Sequence, residues 1–92
     1  MLDDSDEIWI IEIYDSTNQY CHYFSQFWEE SIEIYKSIIK FGRIDIWHQS
    51  EMKGYIPYNF QVYPGLYSMH RGKDKLCQLD YDRPMKSIDF CI

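Results

Sequence analysis

The hydrophobic period changes once along this chain, and that change constrains the fold more than any other feature. Ile8 to Tyr14 is a dense run of β-branched and aromatic residues, which reads as a strand. Trp9, Ile11 and Ile13 fall on one face of it; Ile8, Ile10, Glu12 and Tyr14 fall on the other. From Phe27 to Phe41 the spacing becomes helical. Trp28, Ile32, Tyr35 and Ile39 form one row, and Phe27, Ile34, Ile38 and Phe41 form the row beside it. Glu29, Glu30, Glu33, Lys36, Ser37 and Lys40 face away. Acids early and lysines late suit the helix dipole. Ser25 can cap the start and Gly42 can close the end. The spacing predicts a helix over about 26–41.

Around these two segments the pattern is extended. Asp15-Ser16-Thr17-Asn18 has turn chemistry, so Gln19 to Phe24 is expected to return as a second strand and complete an N-terminal hairpin. Arg43 to His48 alternates and predicts a third strand, followed by a polar connection over Gln49–Gly54. Tyr55 to Tyr63 is a further extended run, held to a sheet edge by Pro57. Pro64-Gly65 fits the centre of a type II turn, and Leu66–His70 pairs back. Gly72-Lys73-Asp74-Lys75 reads as another turn, with Leu76–Tyr81 as a last strand that Arg83-Pro84 breaks. The expectation is an α+β fold: a hairpin, one amphipathic helix, then three to four antiparallel strands, with the helix on one face of a single sheet. At 92 residues this is one domain. Residues 1–7 form an acidic arm and 85–92 a tail. The alternation of Ile88, Phe90 and Ile92 with Asp89 and Cys91 suits an extra strand, including one added across a homodimer.

Charge is lopsided. Residues 1–46 hold ten acidic and three basic side chains, and residues 47–92 hold five and six. Sign asymmetry between halves points to an interaction surface. An acidic chain is a poor direct ligand for nucleic acid or anionic lipid. The opening residues are acidic where a secretory signal would be basic, and Ile8-Trp9-Ile10-Ile11 is far too short to span a bilayer. A reducing, cytoplasmic setting is therefore expected, that of a bacterial host cell if the chain is phage-encoded. Cys21, Cys77 and Cys91 would then be free thiols; if two of them pair, one is left over.

Candidate chemistry is sparse. Cys21, His22, His48, His70, Cys77 and Cys91 supply metal-ligand types, but none has C-x-x-C or H-x₃₋₅-H spacing. Asp80 and Asp82 could share a strand face and hold a divalent cation, yet such acids usually serve solubility. There is no G-x-S-x-G, no Gly-rich phosphate loop and only four glycines. No cofactor, metal or catalytic residue is therefore expected. The remaining signal is the acid-rich first half. Asp3, Asp4, Asp6, Glu7, Glu12, Asp15, Glu29, Glu30 and Glu33 could present a phosphate-like array, because carboxylates on a helix face lie about 5–6 Å apart. Tyr58, Tyr63 and Tyr67, near Pro64-Gly65, could anchor a protein interface. The alternative is a solvated face that keeps the chain dispersed.

In size, acidity, aromatic richness and an Ile-rich composition with no Ala, the whole chain resembles small phage counter-defence proteins, the Arn-like DNA-mimic anti-restriction and anti-CRISPR inhibitors. No residue motif carries the resemblance, and the near-neutral second half departs from a full DNA mimic. The resemblance implies a non-enzymatic inhibitor that occupies a basic nucleic-acid-binding host protein, such as a nuclease, nucleoid protein or CRISPR effector. Two rival readings are an immunity or antitoxin protein plugging a nuclease toxin, and a module that docks peptides by β-addition along the Pro57 edge. A small enzyme is the fourth, marked by a cleft with convergent, perturbed titratable groups.

Overall fold

A computed structural model describes residues 7–47, 54, 56, 63–70, 73–80 and 82–91. Six elements follow in chain order: β1 Ile8–Tyr14, α1 Gln19–Tyr35, β2 Ile39–Asp45, β3 Gly65–His70, β4 Lys73–Cys77 and α2 Pro84–Cys91. The sheet order is β2-β1-β3-β4. β1 pairs parallel with β2 (Ile8 opposite Ile39) and antiparallel with β3 (Ile13 opposite Gly65). β3 and β4 are antiparallel. The sheet is therefore mixed, which corrects the expected all-antiparallel arrangement, and it carries two helices where one was foreseen. Parallel neighbours need a crossover, and α1 supplies it.

The strand over Ile8–Tyr14 forms as read, faces included. Ile10 packs with Phe24, Trp28, Ile39, Leu66 and Ile88 under the helices. Ile13 packs with Ile46 and Tyr67 on the opposite face. A central strand covered on both sides needs apolar residues at odd and even positions alike, and β1 has them, with Glu12 as the exception.

The expected second strand over Gln19–Phe24 is instead the first turns of α1. Asn18, not Ser25, is the N-cap: its Oδ1 accepts the N–H groups of Tyr20 (2.8 Å) and Cys21 (3.3 Å). Ser25 bonds back to the His22 carbonyl instead. The turn chemistry of Asp15 persists, since its Oδ1 accepts from Thr17 N and Thr17 Oγ1. Cys21, Phe24, Trp28 and Ser31 are the buried face of α1, with Ile32 and Tyr35 packed beside it. Ile34 and Ile38, expected inside, are 55% and 67% exposed. Glu29, Glu30 and Glu33 face water as expected.

The helix stops at Tyr35, six residues before Phe41, because Ile39 and Phe41 are captured by the β2–β1 ladder. Phe41 then meets Trp28 edge-on at 5.2 Å. Gly42 is thus a strand residue rather than a helix terminator. It lies opposite Ile11, where an added Cβ would sit 2.9 Å from Ile11 Cδ1.

Pro64 does not centre a turn: the Tyr63–Pro64 peptide is cis and Gly65 already pairs in β3. Lys73–Lys75, expected in a turn, lie in β4, and the last strand ends at Cys77. The tail is α2, not a strand. Pro84 stands at its first helical position, where a missing N–H costs nothing, and Pro84, Ser87, Ile88 and Cys91 point inward. The expected strand over 55–63, its edge residue Pro57 and the polar connection 49–54 lie outside the described residues, apart from Gly54, Ile56 and Tyr63. So do positions 1–6 of the acidic arm.

Candidate functional site

The junction between β1 and α1 gathers Glu12, Asp15 and Cys21, three groups whose surroundings shift their ionisation. One row crosses the helix-covered face of the sheet: Arg43 on β2, Glu12 on β1, Leu66 on β3 and Cys77 on β4. Glu12 is fully buried. Its Oε1 accepts from Arg43 Nε at 2.7 Å, while its Oε2 has no partner among the described residues. Burial pushes the Glu12 carboxyl up to about 6, outweighing the Arg43 charge and hydrogen bond that pull it down. The Arg43 guanidinium in turn lies 4.1 Å from the centre of the Tyr14 ring.

Cys21 sits three residues past the cap, in the first turn of α1. Its sulfur accepts the Asp15 N–H at 3.5 Å. Burial holds the thiol above its ordinary value; the Asp15 N–H counters this, and the nearby Glu12 and Asp15 charges add to it. A shallow cavity of about 240 Å³ opens beside it, lined by Tyr14, Ser16, Cys21, His22, Glu29 and Arg43 among others. His22 Nε2 is 2.7 Å from the Ser16 carbonyl oxygen. The junction thus holds one thiol, one carboxyl poised near neutrality and one cation. Thiol–disulfide exchange needs a thiol that can ionise and a group to take its proton, and the junction holds one of each, Cys21 and Glu12.

The other two cysteines are bonded. Cys77, ending β4, and Cys91, in the last turn of α2, form a disulfide with Cα atoms 5.2 Å apart. This corrects the expectation of three free thiols; Cys21 is the one left over.

The acidic array foreseen from sequence does not assemble as one face. Glu29, Glu30 and Glu33 share the outer side of α1, but Glu33 is paired with Lys36 at 2.9 Å. Glu7 reaches Lys40 at 3.9 Å, and Asp15 is spent on its own turn. Glu12 is inside, because its position falls on the face with Ile8 and Ile10. Tyr67 is 5% exposed and Tyr63 half-buried, both in the cluster on the far side of the sheet. Asp3, Asp4, Asp6 and Tyr58 lie outside the described residues. Cys21 and Arg43 were missed as functional groups. The available signal was an acid, Glu12, on an otherwise apolar strand face, and a base, Arg43, following Ile39 and Phe41 on another.

Neither a family model nor a curated protein matches the sequence. Solved structures do match its architecture. The germline thioredoxin Deadhead of Drosophila melanogaster superposes with a TM-score of 0.77 at 12% identity, over 96% of this chain and 84% of that one. Oxidised thioredoxin from Plasmodium falciparum gives 0.71 at 17% identity, over 99% and 86%. The fold is thioredoxin-like. The J-Trx1 fragment of ERdj5 gives 0.74 at 18% identity, covering 90% of this chain and 40% of that fragment. In thioredoxin-like folds the redox motif is a C-x-x-C beside a βαβ unit. Here the β1–α1 junction reads Asn18-Gln19-Tyr20-Cys21, a stretch with a single cysteine and no C-x-x-C.

These findings overturn the reading as a non-enzymatic DNA mimic. The solved structures named above are thioredoxins and thioredoxin domains, with no sign of the phage counter-defence type among them. The assignment as no enzyme, the basic nucleic-acid-binding partner and the immunity and peptide-module alternatives fall with it. The sequence failed here because net charge describes solubility and encounter, not fold.

Proposed function

We propose that the chain is a single-thiol disulfide-exchange enzyme acting on protein disulfides, with Cys21 as nucleophile and Glu12 as proton acceptor. The observation that carries this reading is the junction itself. A thiol in the first turn of α1 feels the charge of a fully buried carboxyl whose pKa is pushed to about 6, in a fold shared with solved thioredoxins.

The Cys21 thiolate attacks one sulfur of a client disulfide. A mixed disulfide forms, and the client's other sulfur leaves as a thiolate. The Cys21 proton passes to Glu12 and can be returned to the departing thiolate. A second client thiolate then attacks the mixed disulfide on the client's sulfur, and Cys21 leaves as thiolate to recover its proton. Bonds and electrons balance with no external oxidant or reductant, so the net reaction is rearrangement. A lone cysteine cannot store an electron pair as its own intramolecular disulfide, which makes shuffling the reaction that closes.

Because burial keeps the Cys21 thiol protonated at neutral pH, exchange is slow there and accelerates as pH rises toward the thiol's ionisation. The test is incubation with a scrambled ribonuclease, acid quench and mass spectrometry. A Cys21–client adduct and recovery of ribonuclease activity that both vanish in Cys21→Ser are expected. Equal recovery with Cys21→Ser overturns the assignment.

A further inference from the structure

The Cys77–Cys91 disulfide lies beside a groove that a purely structural crosslink does not require. Both cysteines line an open cavity of about 540 Å³ between β4 and α2, within the roughly 300–1,000 Å³ of small-molecule sites. Lys75, Arg83 and Lys86 line it too, against one acid, Asp80. Asp80 is already engaged, its Oδ1 accepting the Asp82 N–H at 2.9 Å. Lys75 Nζ reaches the Phe90 carbonyl at 3.4 Å, holding one cation at the rim. On a chain of net charge −6, this is a locally positive recess. Leu76 and Phe90 flank it and are 51% and 73% exposed, offering apolar contact around the sulfurs.

We propose that this groove is a second thiol-exchange site, separate from Cys21, which takes a small anionic thiol. The cations draw in a carboxylate-bearing molecule and favour its thiolate, the species that attacks. Cys77 is the less buried partner, 8% exposed against 2% for Cys91. The incoming thiolate bonds to Cys77 Sγ, the Cys77–Cys91 bond breaks, and the electron pair leaves on Cys91. A second molecule of the thiol attacks the mixed disulfide at its own sulfur. The small disulfide is released, and both cysteines end as thiols. Two thiols are oxidised and one protein disulfide is reduced.

The test uses the full chain with Cys21→Ser, so that no free thiol is present and the outcome is independent of exchange at Cys21. Glutathione, which is anionic, and cysteamine, which is cationic, are compared at equal thiolate concentration and low ionic strength. Reduction is followed by alkylation and mass spectrometry. Glutathione is expected to react about tenfold faster, the lower end of electrostatic attraction into a charged cleft. The ratio should fall toward one at high salt, and also when Lys75→Gln, Arg83→Gln and Lys86→Gln are combined. The salt series needs only Cys21→Ser, so it decides the matter even if the triple substitution fails to fold. Equal rates at low salt overturn the proposal, as does a disulfide that yields to either thiol only in denaturant.

Discussion

Cys21 and the Cys77–Cys91 pair lie at the same end of the sheet, the first beyond the end of β1 and the second joining the end of β4 to α2. The row Arg43–Glu12–Leu66–Cys77 connects their neighbourhoods. Cys21 is a reduced thiol under a helix start, and burial, with the nearby Glu12 and Asp15 charges adding to it, holds its proton on. The pair is oxidised, sits in an open groove and has three cations around it. The fold brings sulfur to both places. Burial and local charge decide what each sulfur can do, since the thiolate is the reactive species.

The sharpest way to break this comparison is to remove each site in turn. Cys77 and Cys91 are 14 residues apart in sequence, and a crosslink closing a loop of that size is worth about 3 kcal/mol. Cys77→Ser combined with Cys91→Ser should lower the urea-unfolding free energy by that amount, and chemical reduction of the parent chain should match it. Cys21→Ser removes no crosslink and leaves a hydroxyl for the Asp15 N–H, so it should cost about 1 kcal/mol. Equal losses at the two sites would show that the disulfide does not tie α2 to the sheet.

Glu12 separates the sites next. Its carboxyl ionises near 6 in the folded chain against 4.5 for an ordinary glutamate. Below pH 4.5 the group is protonated folded and unfolded. Between 4.5 and 6 the folded chain keeps a proton that the unfolded chain releases. Stability carried by this group is therefore present in acid and lost as pH rises through 6, an amount of about 2 kcal/mol. Glu12→Gln should remove that slope in urea midpoints compared at pH 4.5 and 7. It should also slow exchange at Cys21 and leave reduction of Cys77–Cys91 unchanged. A slope that survives the substitution would assign it to another group.

A smaller effect belongs to Asn18. Its side chain satisfies two N–H groups at the start of α1, so Asn18→Ala should cost about 1 kcal/mol in thermal or urea unfolding. The same substitution frees the backbone that positions Cys21, so exchange at Cys21 should fall while the groove at Cys77–Cys91 keeps its rate. A loss of both would mean that the cap supports the whole sheet end.

How much of this was legible follows from the kind of signal involved. β1 was, down to which residue faces which side, because a strand with two covered faces writes both in apolar letters. The second half of α1 was legible as well. Its first half was hidden, since Tyr20, Cys21, Tyr23 and Phe24 suit a strand as well as a helix, and only the Asn18 cap decides. Parallel pairing leaves no local mark: Ile39 and Phe41 satisfy a helical row and a strand face equally. α2 was concealed because two of its four inward residues, Pro84 and Ser87, do not read as core, although their spacing with Ile88 and Cys91 is helical. At the site, Glu12 shared a face with Ile8 and Ile10, and an acid on such a face is the mark of a buried, shifted group rather than of display. The Cys77–Cys91 bond could not be read, because spacing alone does not set connectivity.

The acidic face of α1 gives the smallest expected effect and the cleanest control. Glu29 and Glu30 are exposed, and among the described residues the only ion pair in their group is the exposed Glu33–Lys36 pair. Exposed pairs of this kind contribute about 0.3–0.5 kcal/mol, and water screens the rest. Glu30→Gln and Glu33→Gln together should change the urea-unfolding free energy by no more than about 0.5 kcal/mol and leave exchange at Cys21 intact. Glu29 is different, because it lines the cavity beside Cys21. Glu29→Gln removes a negative charge from the rim that a client thiolate leaves past, so it should raise the exchange rate modestly without altering stability. If all three substitutions changed the rate alike, net charge would govern client encounter and the local account of the junction would fail. If only Glu29→Gln did so, the reactivity of Cys21 would belong to its immediate walls, in keeping with the fully buried Glu12 whose charge already acts on the thiol.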